Sequence, residues 1–209
     1  MLRYKHIIFD FDGTLSDSYP SFVKAMRTVM QKYGIEKEDG EIYYLLKKYS
    51  TSYVFNNFFA ENGAVAKVEF NSLADELLRS EATPIEGTEE ILRYITDNGG
   101  LCYMYSHSGD IVRDNAKKWG IDKYFTDYQL GEKKFPRKPA PDALLDLMSR
   151  HGLDAKDCVM VGDRDIDVLA GKNAGMDGIL MDVEGYYTEL CVEHRINKLI
   201  DIKSCLCFE

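Results

Sequence analysis

The chain has 209 residues, of which 45% are hydrophobic and 29% charged, the balance of a soluble globular core with room for an insertion. Its net charge of −9, with no Lys/Arg-rich run, argues against a nucleic acid polymer as partner, because such binding needs a basic face that releases counterions. No stretch is apolar for long enough to span a bilayer, and Met1 leads straight into an apolar run without a small-residue cleavage site. The expectation is therefore a cytoplasmic chain with no membrane partner.

In chain order, residues 4–10 are predicted as a first strand, buried on both faces because apolar and polar residues do not alternate. Residues 18–82 break away from any strand rhythm. They carry helical patterns at 21–33, 41–49, 53–61 and 68–80 with no convincing strand between them. From there strands at 101–106, 158–162 and 178–181 alternate with helices at 89–97, 111–119, 141–151 and 166–174. Asn98-Gly99-Gly100 and Asn173-Ala174-Gly175 read as helix stops. Alternating strands and helices make an α/β fold with a parallel sheet, and the all-helical stretch reads as an insertion.

The five cysteines are odd in number, and Cys102 and Cys158 stand in apolar runs as small hydrophobes, so no disulfide framework is expected. Cys205 and Cys207 read as a frayed or edge-strand tail in preference to a metal clip or redox pair.

Four motifs carry chemistry. Asp10-Phe11-Asp12-Gly13-Thr14-Leu15 places two acids, one residue apart, where a buried strand runs out into the loops that bind ligands. Asp-Gly is also an ordinary turn pair, but a turn alone needs no acid two residues earlier. Ser106 ends the second strand of the sheet, where a hydroxyl and the following N–H groups can hold phosphate oxygens, although serines also end strands as helix caps. In Arg137-Lys138-Pro139-Ala140-Pro141-Asp142, prolines limit how far Lys138 can retreat, and its ammonium can neutralise a nucleophile and a transferring phosphoryl group. Gly162-Asp163-Arg164-Asp165-Ile166-Asp167 again follows an apolar strand. Its acids suit Mg²⁺, and an Asp-rich helix start stabilised by the macrodipole accounts for that motif equally well on its own.

Taken together and in this order, Asp10/Asp12, Ser106, Lys138 and Asp163/Asp167 resemble the haloacid dehalogenase-like (HAD) superfamily pattern over essentially the whole chain. The resemblance implies a Rossmann-like parallel sheet core flanked by helices, residues 1–17 and 83–209, with an inserted all-helical cap, residues 18–82. The cap and segments such as Trp119-Gly120-Ile121-Asp122-Lys123-Tyr124-Phe125 are similar to the subfamily of phosphoglycolate phosphatases and β-phosphoglucomutases. It further implies a phosphatase in which Asp10 becomes an aspartyl-phosphate and Asp12 is acid, then base. Asp10, the backbone carbonyl of Asp12, and Asp163 would hold Mg²⁺, with Asp167 orienting its waters or Lys138. Thr14, Ser106, His107 and Lys138 would bind substrate. The second acid, Asp12, speaks against dehalogenation.

His107 departs from the Thr-Asn common among relatives; it either meets substrate or packs beside the loop. Arg137 reads as solvated, and so do Lys47 and Lys48. The cap aromatics Tyr43, Tyr44, Tyr49, Tyr53, Phe55, Phe58 and Phe59 read as packing within a helical bundle. The expected partner is a small phosphorylated metabolite, and the expected assembly a monomer or homodimer. A β-phosphoglucomutase-like mutase is the alternative, and a non-catalytic binding protein on the same fold the remaining one.

Overall fold

The computed structural model describes residues 2–131 and 135–206. Its strands and helices in chain order are β1 (His6–Phe9), β2 (Ser16–Asp17), α1 (Tyr19–Lys32), α2 (Asp39–Lys48), α3 (Thr51–Phe58), α4 (Gly63–Ser80), β3 (Thr83–Pro84), α5 (Thr88–Asp97), β4 (Leu101–Ser106), α6 (Ile111–Lys118), β5 (Phe125–Leu130), α7 (Asp142–His151), β6 (Cys158–Gly162), α8 (Asp165–Asn173), β7 (Asp177–Met181), β8 (His194–Ile196) and α9 (Ile202–Leu206). The chain divides into two compact units, Met1–Ser16 with Pro84–Glu209, and Asp17–Thr83. Among the described residues no helix is long and apolar enough to cross a membrane.

The first unit is α/β. Its six strands lie in the order β5-β4-β1-β6-β7-β8, every neighbouring pair parallel. Parallel strands buried on both faces need no alternation, and β1 and β6 are apolar runs buried almost throughout. On one face Ile8, Tyr103, Cys158 and Met160 meet Leu144 and Leu147 of α7 and Ala170 of α8. Helix α5 buries Thr88, Ile91, Leu92 and Ile95, a single stripe at helical spacing. Strand order reverses at β1: the chain passes from β1 to β4 and β5 on one side, then to β6, β7 and β8 on the other. A crevice forms at the carboxyl ends of the strands at such a switch point. Phe9 pairs with Met104 and with Val161, so Asp10, Ser106 and Asp163 all leave the sheet at that edge.

The second unit is helical. Pro20 opens α1, where its missing N–H costs nothing. Glu38 and Glu41 form a reciprocal capping box at the start of α2. Met26, Val29, Ile42, Val54, Phe55, Phe59 and Phe70 share one core. Packing accounts for Phe55 and Phe59, and Tyr43 and Phe58 are partly buried. Three aromatics depart from that expectation. Tyr44, Tyr49 and Tyr53 are each about two-fifths exposed, with Tyr49 and Tyr53 stacked at 4.4 Å. Lys47, expected in solvent, is only 3% exposed, its ammonium 4.9 Å from the Tyr19 ring centroid. A long apolar stem lets a lysine lie inside while an aromatic face receives its charge.

Cys102 and Cys158 are buried in strands as expected. Cys205 is not in a frayed tail or an edge strand but is buried in the short helix α9, and Cys207 lies outside the described residues. The edge strands β5 and β8 were not expected. Each is interrupted by polar residues, as edges commonly are.

Candidate active site

Asp10 follows the last residue of β1, and its N–H donates to Val161 O at 2.8 Å. The chain then turns back on itself. Thr14, Leu15 and Ser16 all donate their N–H groups to Phe11 O, and Gly13, at φ 83°, supplies the left-handed step. Phe11 is anchored by stacking on Trp119, ring centroids 5.7 Å apart. This tight turn leaves Asp12 half-buried, its Oδ2 accepting a 2.6 Å hydrogen bond from Ser108 Oγ.

Behind it lies a buried charge cluster. Asp10, Asp163 and Asp167 each offer a carboxylate oxygen, and these oxygens lie within 4.8 Å of one another. Lys138 comes from the segment before α7 and donates to Asp10 Oδ1 at 2.6 Å, Asp167 Oδ1 at 2.8 Å and Tyr105 O at 2.9 Å. Its ammonium also sits 4.3 Å from the Tyr105 ring centroid. None of Asp10, Lys138, Asp163 and Asp167 is more than 7% exposed.

The electrostatics follow from this crowding. Burial pushes the Asp10 carboxyl well up, Lys138 opposes it, and the charges of Asp167, Asp163 and Asp12 add to the rise. Burial pulls the Lys138 ammonium down, but Asp10 and Asp167 together outweigh it and raise it above its ordinary value. Among the described residues, one buried cation therefore faces three buried acids. An all-oxygen donor set with surplus negative charge suits a hard divalent cation.

Asp167 is held from two sides, since its Oδ2 accepts from Arg164 N at 3.1 Å while Oδ1 accepts from Lys138. Thr14 is fully buried and directs its hydroxyl to Asp163 Oδ1 at 3.4 Å, so it reaches an acid of the cluster. Ser106 is buried at the end of β4, its Oγ accepting from Ser108 N at 3.0 Å. His107 Nε2 accepts from the backbone N–H of Lys138 at 3.1 Å, which commits that nitrogen to the main chain. Arg137 is exposed. Ser108 is the residue sequence reasoning missed. The second hydroxyl in Ser106-His107-Ser108-Gly109 was the available signal, but its partner lies 96 residues away.

The sheet order and the acids gathered at its switch point define an α/β enzyme core. The chain belongs to the haloacid dehalogenase-like hydrolase family, whose model matches residues 7–181. It is similar to a 5′-nucleotidase of Pseudomonas aeruginosa, 25% identical over 190 residues that cover 84% of this chain and 81% of that protein. It is also similar to a phosphoglycolate phosphatase of Vibrio vulnificus, 30% identical over 184 residues covering 82% and 80%. Among solved structures, a haloacid dehalogenase-like family hydrolase from Streptococcus pneumoniae superposes with a TM-score of 0.87 at 17% identity, covering 97% of this chain and 98% of that one, a likeness of fold.

Proposed function

We propose that this protein is a Mg²⁺-dependent cytoplasmic phosphatase that hydrolyses a small phosphomonoester through a phosphoaspartyl intermediate on Asp10. The observation that carries the reading is the buried Lys138 ammonium, 2.6 Å from Asp10 and 2.8 Å from Asp167, in a cluster with more acids than cations. The activities of the two relatives, a 5′-nucleotidase and a phosphoglycolate phosphatase, support a small phosphate ester as the substrate class. Asp10, Asp163 and the backbone carbonyl of Asp12 would hold the cation, with Asp167 oriented through Lys138 and the Arg164 N–H. When bound, Mg²⁺ neutralises the acids and the charge on the transferring phosphoryl oxygens.

The residues of the chain then divide the work. A carboxylate oxygen of Asp10 attacks phosphorus, and the ester oxygen leaves with a proton from Asp12. Asp12, now a base, takes a proton from the water that attacks the phosphoaspartate. The bond between phosphorus and the Asp10 oxygen breaks, and Asp10 is regenerated with release of phosphate. Lys138 and the Ser106 hydroxyl hold the phosphoryl oxygens, and positioning with charge neutralisation supplies most of the rate. We assign the helical unit, residues 18–82, the role of a cap that selects substrate.

The test is phosphate release from a panel of small phosphomonoesters, with Mg²⁺ and with EDTA, for wild type and Asp10→Asn. Turnover that needs the metal and is lost in Asp10→Asn supports the reading. Isomerisation of β-glucose 1-phosphate without phosphate release would replace it with the mutase. Metal-independent turnover that survives Asp10→Asn would sink it.

A further inference from the structure

The segment that carries Lys138 has no regular secondary structure between residues 135 and 141, yet it must hold an ammonium against three acceptors at 2.6, 2.8 and 2.9 Å. A lysine side chain has a flexible four-carbon stem, so it cannot define that position from a loose backbone. Two side chains grip the main chain around it. Asn173 Nδ2 donates to Pro139 O at 2.9 Å on one side, and on the other the Lys138 N–H donates to His107 Nε2 at 3.1 Å.

His107 is suited to this task. Its ring meets Tyr105 edge-on at 5.8 Å, and Tyr105 in turn presents both its carbonyl and its ring face to the Lys138 ammonium. An Nε2 that accepts a hydrogen bond requires a neutral ring with its proton on Nδ1. Burial, joined by the charges of Lys138, Arg137 and Arg164, pushes the His107 imidazole down to about 3, so it remains an acceptor at any ordinary pH. On either side of it, Ser106 ends β4 and Ser108 donates to Asp12. One short loop thus touches the proposed phosphate-binding hydroxyl, the proposed acid and the lysine backbone.

We propose that His107 is a positioning residue for Lys138, tying the lysine's backbone to the loop after β4 so that the ammonium and the Ser106 hydroxyl keep a fixed spacing. The proposal rests on the phosphatase reading for its catalytic consequence, and on geometry alone for the contact. A direct substrate contact by His107 is the competing role.

Two variants separate the roles. His107→Gln would present an amide oxygen as acceptor where Nε2 stands, whereas His107→Phe would fill the space without an acceptor. The Phe variant should lower kcat by about 10- to 100-fold, by the same factor on every phosphomonoester and with little change in KM, the scale expected when a catalytic group is slightly misplaced. His107→Gln should recover most of that loss. The second measurement needs no substrate: amide hydrogen exchange at Lys138, read by NMR on ¹⁵N-labelled protein. Exchange there should be slow in wild type and His107→Gln and faster in His107→Phe, while Leu144 and Leu147 in α7 stay protected, which excludes global unfolding.

Wild-type kcat in His107→Phe would overturn the proposal. So would a rise in KM confined to one substrate, or a Gln variant as impaired as the Phe variant in both measurements. If the wild type releases no phosphate, the phosphatase reading falls, and the exchange pattern still decides whether His107 holds Lys138.

Discussion

Gly162 ends β6 immediately before Asp163, and it leaves no room for a side chain. A Cβ placed there would lie 2.2 Å from Asp167 Cβ, 2.5 Å from its Cγ and 2.7 Å from its Oδ2. Asp167 has no easy retreat, since Lys138 holds one carboxylate oxygen at 2.8 Å and the Arg164 N–H holds the other at 3.1 Å. Gly162→Ala must therefore push Asp167 and strain or break its bond to Lys138. Overpacking costs about 1–3 kcal/mol, and loss of a charge-assisted hydrogen bond about 1.5–3 kcal/mol. Taking about 2.5–6 kcal/mol for the pair, Tm should fall by about 5–24 °C for a chain of this size. Because Lys138 also contacts Asp10, kcat should fall by about 100-fold, the scale of a small misplacement of a catalytic group. Gly171→Ala is the matched control. Its Cβ would come within 2.6 Å of Met160 Cβ, a crowding of α8 on β6 that touches no charged group. Differential scanning calorimetry and phosphate release, both with Mg²⁺ and well below either Tm for the rates, compare the two. The control should lose stability and keep its kcat. Wild-type kcat in Gly162→Ala would refute the idea that Asp167 is fixed by that glycine. Equal loss of kcat in both variants would reduce the effect to general destabilisation.

Ser108→Ala removes the 2.6 Å donor to Asp12 Oδ2 and should lower kcat by about tenfold with KM unchanged, within the range that a well-placed acid contributes; unchanged kcat would mean that Asp12 needs no such support. Mg²⁺ should raise Tm, because a ligand that binds only the folded chain stabilises it by about 2.7 kcal/mol at one hundred times its Kd. Asp163→Asn should abolish that rise, and a persistent rise would place the cation elsewhere. For pH, His107 stands near 3 when folded and near 6.5 when unfolded, so the unfolded chain takes up its proton first as pH falls. Its contribution is complete above 6.5 and is lost as pH falls toward 3. Urea unfolding of wild type and His107→Gln across that interval should show the wild-type advantage shrinking with acid, and a constant difference would mean that the ring is not held neutral.

What could be read from the sequence was what local chemistry dictates. A strand buried on both faces must be an unbroken apolar run, and acids at its end must leave into a crevice, so the switch-point residues Asp10 and Asp163 stood out with their strands. Lys138 was legible through its flanking prolines. The partners of these groups were not. Lys138 meets Asp10 across 128 residues and His107 across 31, and nothing within a window of either names the other. His107 shows the limit best. A histidine in a loop after a strand is equally compatible with substrate, solvent or a neighbouring backbone, and its residue type does not choose among them. In the structure its Nε2 accepts from the Lys138 N–H, a contact that depends on where the segment before α7 crosses the end of β4. Lys47 was misread for the same reason, since helical spacing places it on a face but does not say that Tyr19 waits beneath. The edges β5 and β8 escaped because their polar residues, which keep an open sheet from pairing with other chains, hide the strand pattern that pairing with β4 and β7 restores. Residue type and local spacing thus identify groups capable of the chemistry, while contacts between distant segments decide which of them hold the others in place. That division makes the second set of residues, His107 and Ser108 first among them, the more informative targets for mutation.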